Sequence, residues 1–233
     1  MAAAAAPAVA TEPTLERRAA SEGVGTALLL AAVVGSGIMG ERLSGGSAAI
    51  TLLANSLATG FALIALIIAF APRSGAHFNP VVTLALAWRG EFSRREIFAY
   101  VIAQMFGALA GVLAAHAMFD LPLLQASGTM RTSAAQWWSE AVATFGLVFV
   151  VLSCARNQAW AAPWAVGSYI AAAYWFTAST SFANPAVTIA RSITDTFAGI
   201  RPYDAPAFIL SQLVGAALAI AVDRSLSAGS DAR

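Results

Sequence analysis

Apolar runs long enough to cross a bilayer recur along the chain at residues 22–39, 48–70, 97–118, 137–154, 160–178 and 207–222. A crossing takes about 20 mostly apolar residues as helix, so six crossings are predicted. Two shorter apolar runs remain, at 79–88 and 184–193, each about 15 Å long if helical. Neither spans a hydrocarbon core of about 30 Å, but two such half-helices meeting from opposite faces add up to one thickness.

The short runs open on the same dipeptide. His77-Phe78-Asn79-Pro80-Val81-Val82-Thr83 is matched by Ser181-Phe182-Ala183-Asn184-Pro185-Ala186-Val187-Thr188, with the asparagines 105 positions apart. The likeness extends outward: Ser21-Glu22-Gly23-Val24-Gly25-Thr26 pairs with Ser139-Glu140-Ala141-Val142-Ala143-Thr144, and Gln104-Met105-Phe106-Gly107 with Gln212-Leu213-Val214-Gly215. The chain therefore reads as two copies of one unit, span, span, half-helix, span, covering about 21–118 and 137–223. Three crossings per unit force the second copy to start from the opposite face, so the repeats are inverted. The expected organisation is a disordered cytoplasmic arm at 1–20, which lacks the order of a signal peptide, a membrane domain at 21–223, and a cytoplasmic tail at 224–233.

Composition agrees with a membrane protein. Hydrophobic residues make up 59% of the 233 positions and charged residues 11%, against roughly 25% in soluble domains. All 13 basic residues are arginines. With the N-terminus inside, Arg17, Arg18, Arg73, Arg89, Arg94, Arg95, Arg156, Arg224 and Arg233 lie on the cytoplasmic side, and Arg42, Arg131, Arg191 and Arg201 on the other. That bias predicts both termini in the cytoplasm of a cell bounded by this inner membrane. A single cysteine, Cys154, and two histidines, His77 and His116, leave no basis for a disulfide, a metal site or a cofactor. Nothing resembles a nucleotide-binding loop, a nucleophile triad or a nucleic-acid patch, so neither an enzyme nor a nucleic-acid partner is expected.

Backbone that is not helical cannot face lipid, so the loops leading into Asn79 and Asn184 are expected to line a water-filled cavity. Proline fits the first position of each half-helix, and the preceding asparagine can cap the exposed amides while its NH₂ donates elsewhere. Two helix N-termini meeting at mid-membrane put roughly half a positive charge each into the narrowest region, which repels cations.

The segment Ser74-Gly75-Ala76-His77-Phe78-Asn79-Pro80, the paired Asn-Pro half-helices and the glutamates opening spans one and four resemble the major intrinsic protein family of aquaporins and aquaglyceroporins. The resemblance covers residues 21–223 and implies an all-α fold of six transmembrane helices plus two re-entrant half-helices, assembled as homotetramers. It implies a passive channel in the lipid bilayer, with Asn79, Pro80, Val81, Asn184, Pro185 and Ala186 as the paired pore motifs. By the same resemblance Glu22 and Glu140 hold the re-entrant loops, and His77 turns its backbone toward the pore.

The second motif departs from the family pattern. Val187 stands where the family carries an arginine that forms its outer constriction. The other constriction positions are expected at Thr59, Ala172 and Ser181, giving a wide filter of small side chains with no fixed cation and no aromatic wedge. Such a filter resembles that of bacterial aquaglyceroporins associated with arsenic resistance, and suits small polyols or neutral metalloid acids such as arsenite better than water alone. Arg191, one turn beyond Val187, is read either as a displaced vestibule charge or as a residue that snorkels to the interface or pairs with Asp195. Val81 in place of the first motif's alanine is expected to adjust packing only. An energy-coupled secondary transporter shares inverted repeats and broken helices, but the ionisable residues within the spans, Glu22 and Glu140, lie near their ends. A junction protein on the same fold would need larger outer loops than 119–136.

Overall fold

The structure, a computed structural model, describes residues 13–227. Within them the chain forms eight α-helices: α1 (Leu15–Leu43), α2 (Ala48–Ser74), α3 (Pro80–Arg89), α4 (Ile97–Met118), α5 (Ala134–Asn157), α6 (Ala162–Phe176), α7 (Pro185–Ala190) and α8 (Ala205–Ser227). Local chemistry sets several of the ends. Ser47 caps α2, Ser133 and Gln136 form a capping box on α5, and Gly75 ends α2 in the left-handed conformation at φ 88°.

Five helices, α1, α2, α4 with its preceding turn, α5 and α8 with its preceding turn, are long and apolar enough to cross a membrane. The fifth predicted span, 160–178, is shorter than expected as α-helix. It begins with a 3₁₀ turn at Ala159–Ala161, carries Pro163 in its first turn and stops at Phe176, where Thr177 is extended. Its 3₁₀ and α portions together still reach roughly 28 Å. The expected arm and tail also change. Residues 15–20 belong to α1 and residues 224–227 to α8, because both helices run past their apolar stretches into polar turns; the remainder of both segments lies outside the described residues.

Packing follows the repeat. In the first unit α1 lies against α4 and α2, and in the second α5 lies against α8 and α6, while α2 and α6 join the units. Side chains too large for the crossings are absent at matched places. A Cβ on Gly107 would overlap the carbonyl oxygen of Gly23, and one on Gly215 that of Ala141; Gly111 presses on Ala27 in the same way. Without a hydrophobic drive between helices in lipid, such backbone approaches supply the packing. Phe61, Phe98, Phe106 and Leu210 remain exposed on the outside, as a lipid-facing surface requires.

Replacing Gly107 by valine is therefore expected to push α1 and α4 apart and cost about 1–3 kcal/mol. The thermal unfolding midpoint in detergent should fall by several degrees, whereas Ala110→Val on the exposed face of α4 should leave it unchanged.

Candidate functional site

The two half-helices, α3 and α7, begin alike. Asn79 and Asn184 are extended, at φ −155° and −158°, and each caps its own helix: Asn79 Oδ1 accepts from Val81 N at 3.1 Å, and Asn184 Oδ1 from Ala186 N at 3.0 Å and Val187 N at 3.3 Å. Pro80 and Pro185 occupy the first helical positions. The side-chain amides then cross between repeats. Asn79 Nδ2 donates to Ala183 O and Asn184 Nδ2 to Phe78 O, both at 2.8 Å. An amide nitrogen carries two hydrogens. One ties the loops together and the other is left for the cavity, so the NH₂ is less free than the sequence suggested.

The loops feeding these helices hold a backbone that non-glycine residues avoid. Ala76 and Phe78 have φ of 52° and 49°, and their counterparts 105 positions on, Ser181 and Ala183, have 50° and 47°; Gly75 and Thr180 match likewise at 88° and 62°. Each non-glycine residue held so costs on the order of 1–3 kcal/mol. The opposing bonds come from two fully buried glutamates. Glu22 accepts from His77 N at 2.9 Å, Phe78 N at 2.7 Å, Ser74 Oγ at 2.7 Å and Gln104 Nε2 at 2.8 Å. Glu140 accepts from Phe182 N at 2.8 Å, Ala183 N at 2.9 Å and Gln212 Nε2 at 2.7 Å.

Gln104 and Gln212, which the repeat carries at matched places, also belong to this site. Each also donates from its Nε2 to a threonine of the half-helix, Thr83 or Thr188, at 3.0 and 2.8 Å, and that threonine donates to the carbonyl of Asn79 or Asn184. A chain of Glu, Gln, Thr and Asn thus backs each half-helix. His77 adds a ring contact: its Nδ1 lies 3.0 Å from Thr83 Oγ1, and the ring packs on Phe92 and Tyr100.

A cavity of about 810 Å³, open to solvent, runs past both asparagines. Leu29, Val33, Leu63, Val166 and Ile170 give it an apolar wall, opposite the polar loops. Of the expected constriction residues, Thr59, Ser181 and Val187 line it. Ala172 does not, and is exposed on the opposite face of α6. Its place is taken by Tyr174, two residues later, whose hydroxyl lies 3.2 Å from Thr59 Oγ1. Two residues turn a helix by about 200°, so the two positions lie on opposite faces of α6. An aromatic ring therefore does stand at this level.

The cavity also keeps a cation. Arg191 is 2% exposed and lines it, with Nε donating to Ala198 O and its guanidinium carbon 3.4 Å from the centre of the Phe182 ring. It neither reaches a surface nor pairs with Asp195, which accepts instead from Gly128 N at 2.9 Å. The 3₁₀ turn Arg191–Ile193 that ends α7 after six residues carries the side chain back inward. Arg131, placed by the sequence among the outer-side arginines, is buried as well. It stacks 5.0 Å from the same ring and donates to Ser179 O at 3.0 Å and Gly199 O at 2.8 Å, bracing the second re-entrant loop. No short-range sequence signal announces this role; it arises where the 119–133 loop folds against the second re-entrant loop. Among the described residues the cavity lining contains no carboxylate and no metal-binding cluster occurs.

The sequence model of the Major intrinsic protein family matches residues 9–163. The chain is 56% identical over 212 residues to aquaglyceroporin AqpS of Rhizobium meliloti (strain 1021), a match covering 91% of each protein. Aquaporin NIP3-1 of rice is 30% identical over 152 residues, covering 64% of this chain and 48% of that protein. Among solved structures, the aquaglyceroporin from Plasmodium falciparum superposes with a TM-score of 0.70 over 89% of this chain and 94% of that one; at 19% identity it speaks to the fold.

Glu140→Gln replaces an oxygen that accepts bonds with an NH₂ facing other donors. Each buried donor left unpaired costs about 1–3 kcal/mol. The variant is expected to unfold several degrees lower than the native protein and to lose most solute permeability in vesicles, the two measurements falling together.

Proposed function

The chain belongs to the major intrinsic protein family, and from that premise we propose that it is a passive transmembrane channel for small neutral solutes such as glycerol, and not an enzyme. The observation carrying this reading is the single cavity that passes both Asn79 and Asn184, with an apolar wall on one side. A polyol can turn its hydroxyls to the asparagine amides and loop groups and its CH groups to that wall. The N-terminal ends of α3 and α7 add positive potential at the same level, opposing cations and excess protons. Among the described residues the cavity lining offers no carboxylate to couple transport to a proton or sodium ion, which disfavours a secondary transporter.

We read the outer constriction as Thr59, Tyr174, Ser181 and Val187 with Arg191 beside them. Among the described residues the Arg191 guanidinium donates only from Nε, which leaves its two NH₂ groups for a passing solute, while Ser181 Oγ is buried at the same level with no hydrogen-bond partner. Arg191 would then serve as the fixed cation that Val187 does not supply, set one turn further along the chain. Such a filter has donors for neutral hydroxylated solutes, including polyols and metalloid acids such as arsenite, together with water. Orientation rests on the arginines. Because Arg131 and Arg191 are buried, Arg42 and Arg201 are the surface arginines left on the outer side among the described residues, which favours cytoplasmic termini. A homotetramer, with one pore per subunit, completes the reading by family likeness.

Stopped-flow light scattering on proteoliposomes given glycerol, arsenite and water gradients tests the filter. Arg191→Leu is expected to lower glycerol permeability about tenfold, the equivalent of one or two lost hydrogen bonds, with water changed far less. Unchanged glycerol flux in folded Arg191→Leu protein would remove Arg191 from the filter. Val187→Arg sets a second guanidinium against the first and should reduce every permeability; a variant that conducts like the native protein would show the constriction to be elsewhere.

A further inference from the structure

Where α3, α5 and α8 end, a second cavity of about 1000 Å³ opens to solvent between Arg89, Arg94, Arg156, Arg224, Asp223 and Trp88. Two of its arginines are already engaged. Arg156 donates to both oxygens of Asp223 at 3.1 Å, and Arg89 donates to Leu152 O at 2.8 Å, pairs with Glu91 at 3.0 Å and lies 3.7 Å from Asp223. The other two, Arg94 and Arg224, have neither an ion pair nor a hydrogen bond among the described residues, and both are exposed. Four guanidinium groups thus line the cavity beside one carboxylate, Asp223, with Glu91 pairing Arg89 from outside the lining, which leaves an excess of positive charge in a concave site.

The site also has an apolar side. Trp88, 60% exposed at the last turn of α3, and Ile220 of α8 line it beside the cations. Tryptophan at the end of a membrane helix sits at headgroup depth, and basic pockets between helix ends at that level attract phosphate esters. We propose that this pocket binds the phosphate of an anionic phospholipid, with Arg94 and Arg224 closing on the headgroup and Trp88 and Ile220 bordering the start of the acyl chains. Arg89 and Arg156 act as a floor, fixed by Asp223. The proposal rests on the helices crossing a bilayer and not on which solute the channel carries.

The purified protein in mild detergent is mixed with phosphatidylglycerol or phosphatidylcholine, and retained lipid is counted by native mass spectrometry beside the thermal midpoint. Wild type is expected to prefer phosphatidylglycerol by about tenfold, as two added charges near a membrane surface allow. The preference should vanish in Arg94→Gln/Arg224→Gln and persist in Arg17→Gln/Arg95→Gln, which removes the same charge from outside the pocket. Equal loss in both double variants, or none in the first, overturns the site. A lower midpoint of the first variant in phosphatidylcholine would make the two arginines structural and also overturn it. Protection by glycerol 1-phosphate or inorganic phosphate equal to that by the lipid would assign the pocket to a soluble phosphate instead. Glycerol flux measured on the same variants should not change, so failure here is separable from failure of the channel reading.

Discussion

Everything at the centre of this molecule depends on satisfying a few backbone N–H groups far from bulk water. Two loops must turn inside the membrane, and each carries residues in the left-handed region that cannot contribute helical hydrogen bonds. A neutral side chain offers too few acceptor positions for the purpose. A carboxylate offers about four lone pairs, and Glu22 and Glu140 use theirs on two loop amides and a glutamine each, Glu22 on a serine as well. A buried carboxylate is itself costly unless so bonded. The glutamate and the strained loop are therefore tolerable only together.

The fold was legible from the sequence because its determinants are local or repeated. Hydrophobic length announces a span, an Asn-Pro pair announces a helix start, and the spacing of two copies announces inversion. Glu22 and Glu140 were readable because a charge inside a span demands an explanation. Gln104 and Gln212 carried the same signal in the repeat, but a neutral amide in an apolar run draws less attention, and their role appears only when α4 and α8 are packed against the half-helices.

What was not legible was the mouth of the cavity. Ala172 and Tyr174 lie on opposite faces of α6, and counting along the chain from the motifs through intervening loops does not fix which of them meets the cavity. Arg191 looked displaced because it follows the motif by one turn. The six-residue length of α7 and the turn after it return the guanidinium to the cavity, where Phe182 provides its resting surface.

The exchange of bonds between Asn79 and Ala183, and between Asn184 and Phe78, also bears on how the chain is made. The first half is synthesised before its partner exists, so its re-entrant loop must wait in the membrane with the carbonyl of Phe78 unclaimed. Glu22, Gln104 and Thr83, all within that half, can hold the loop meanwhile. Biogenesis therefore divides into a local stage that each half completes by itself and a closing stage that only the finished chain can reach.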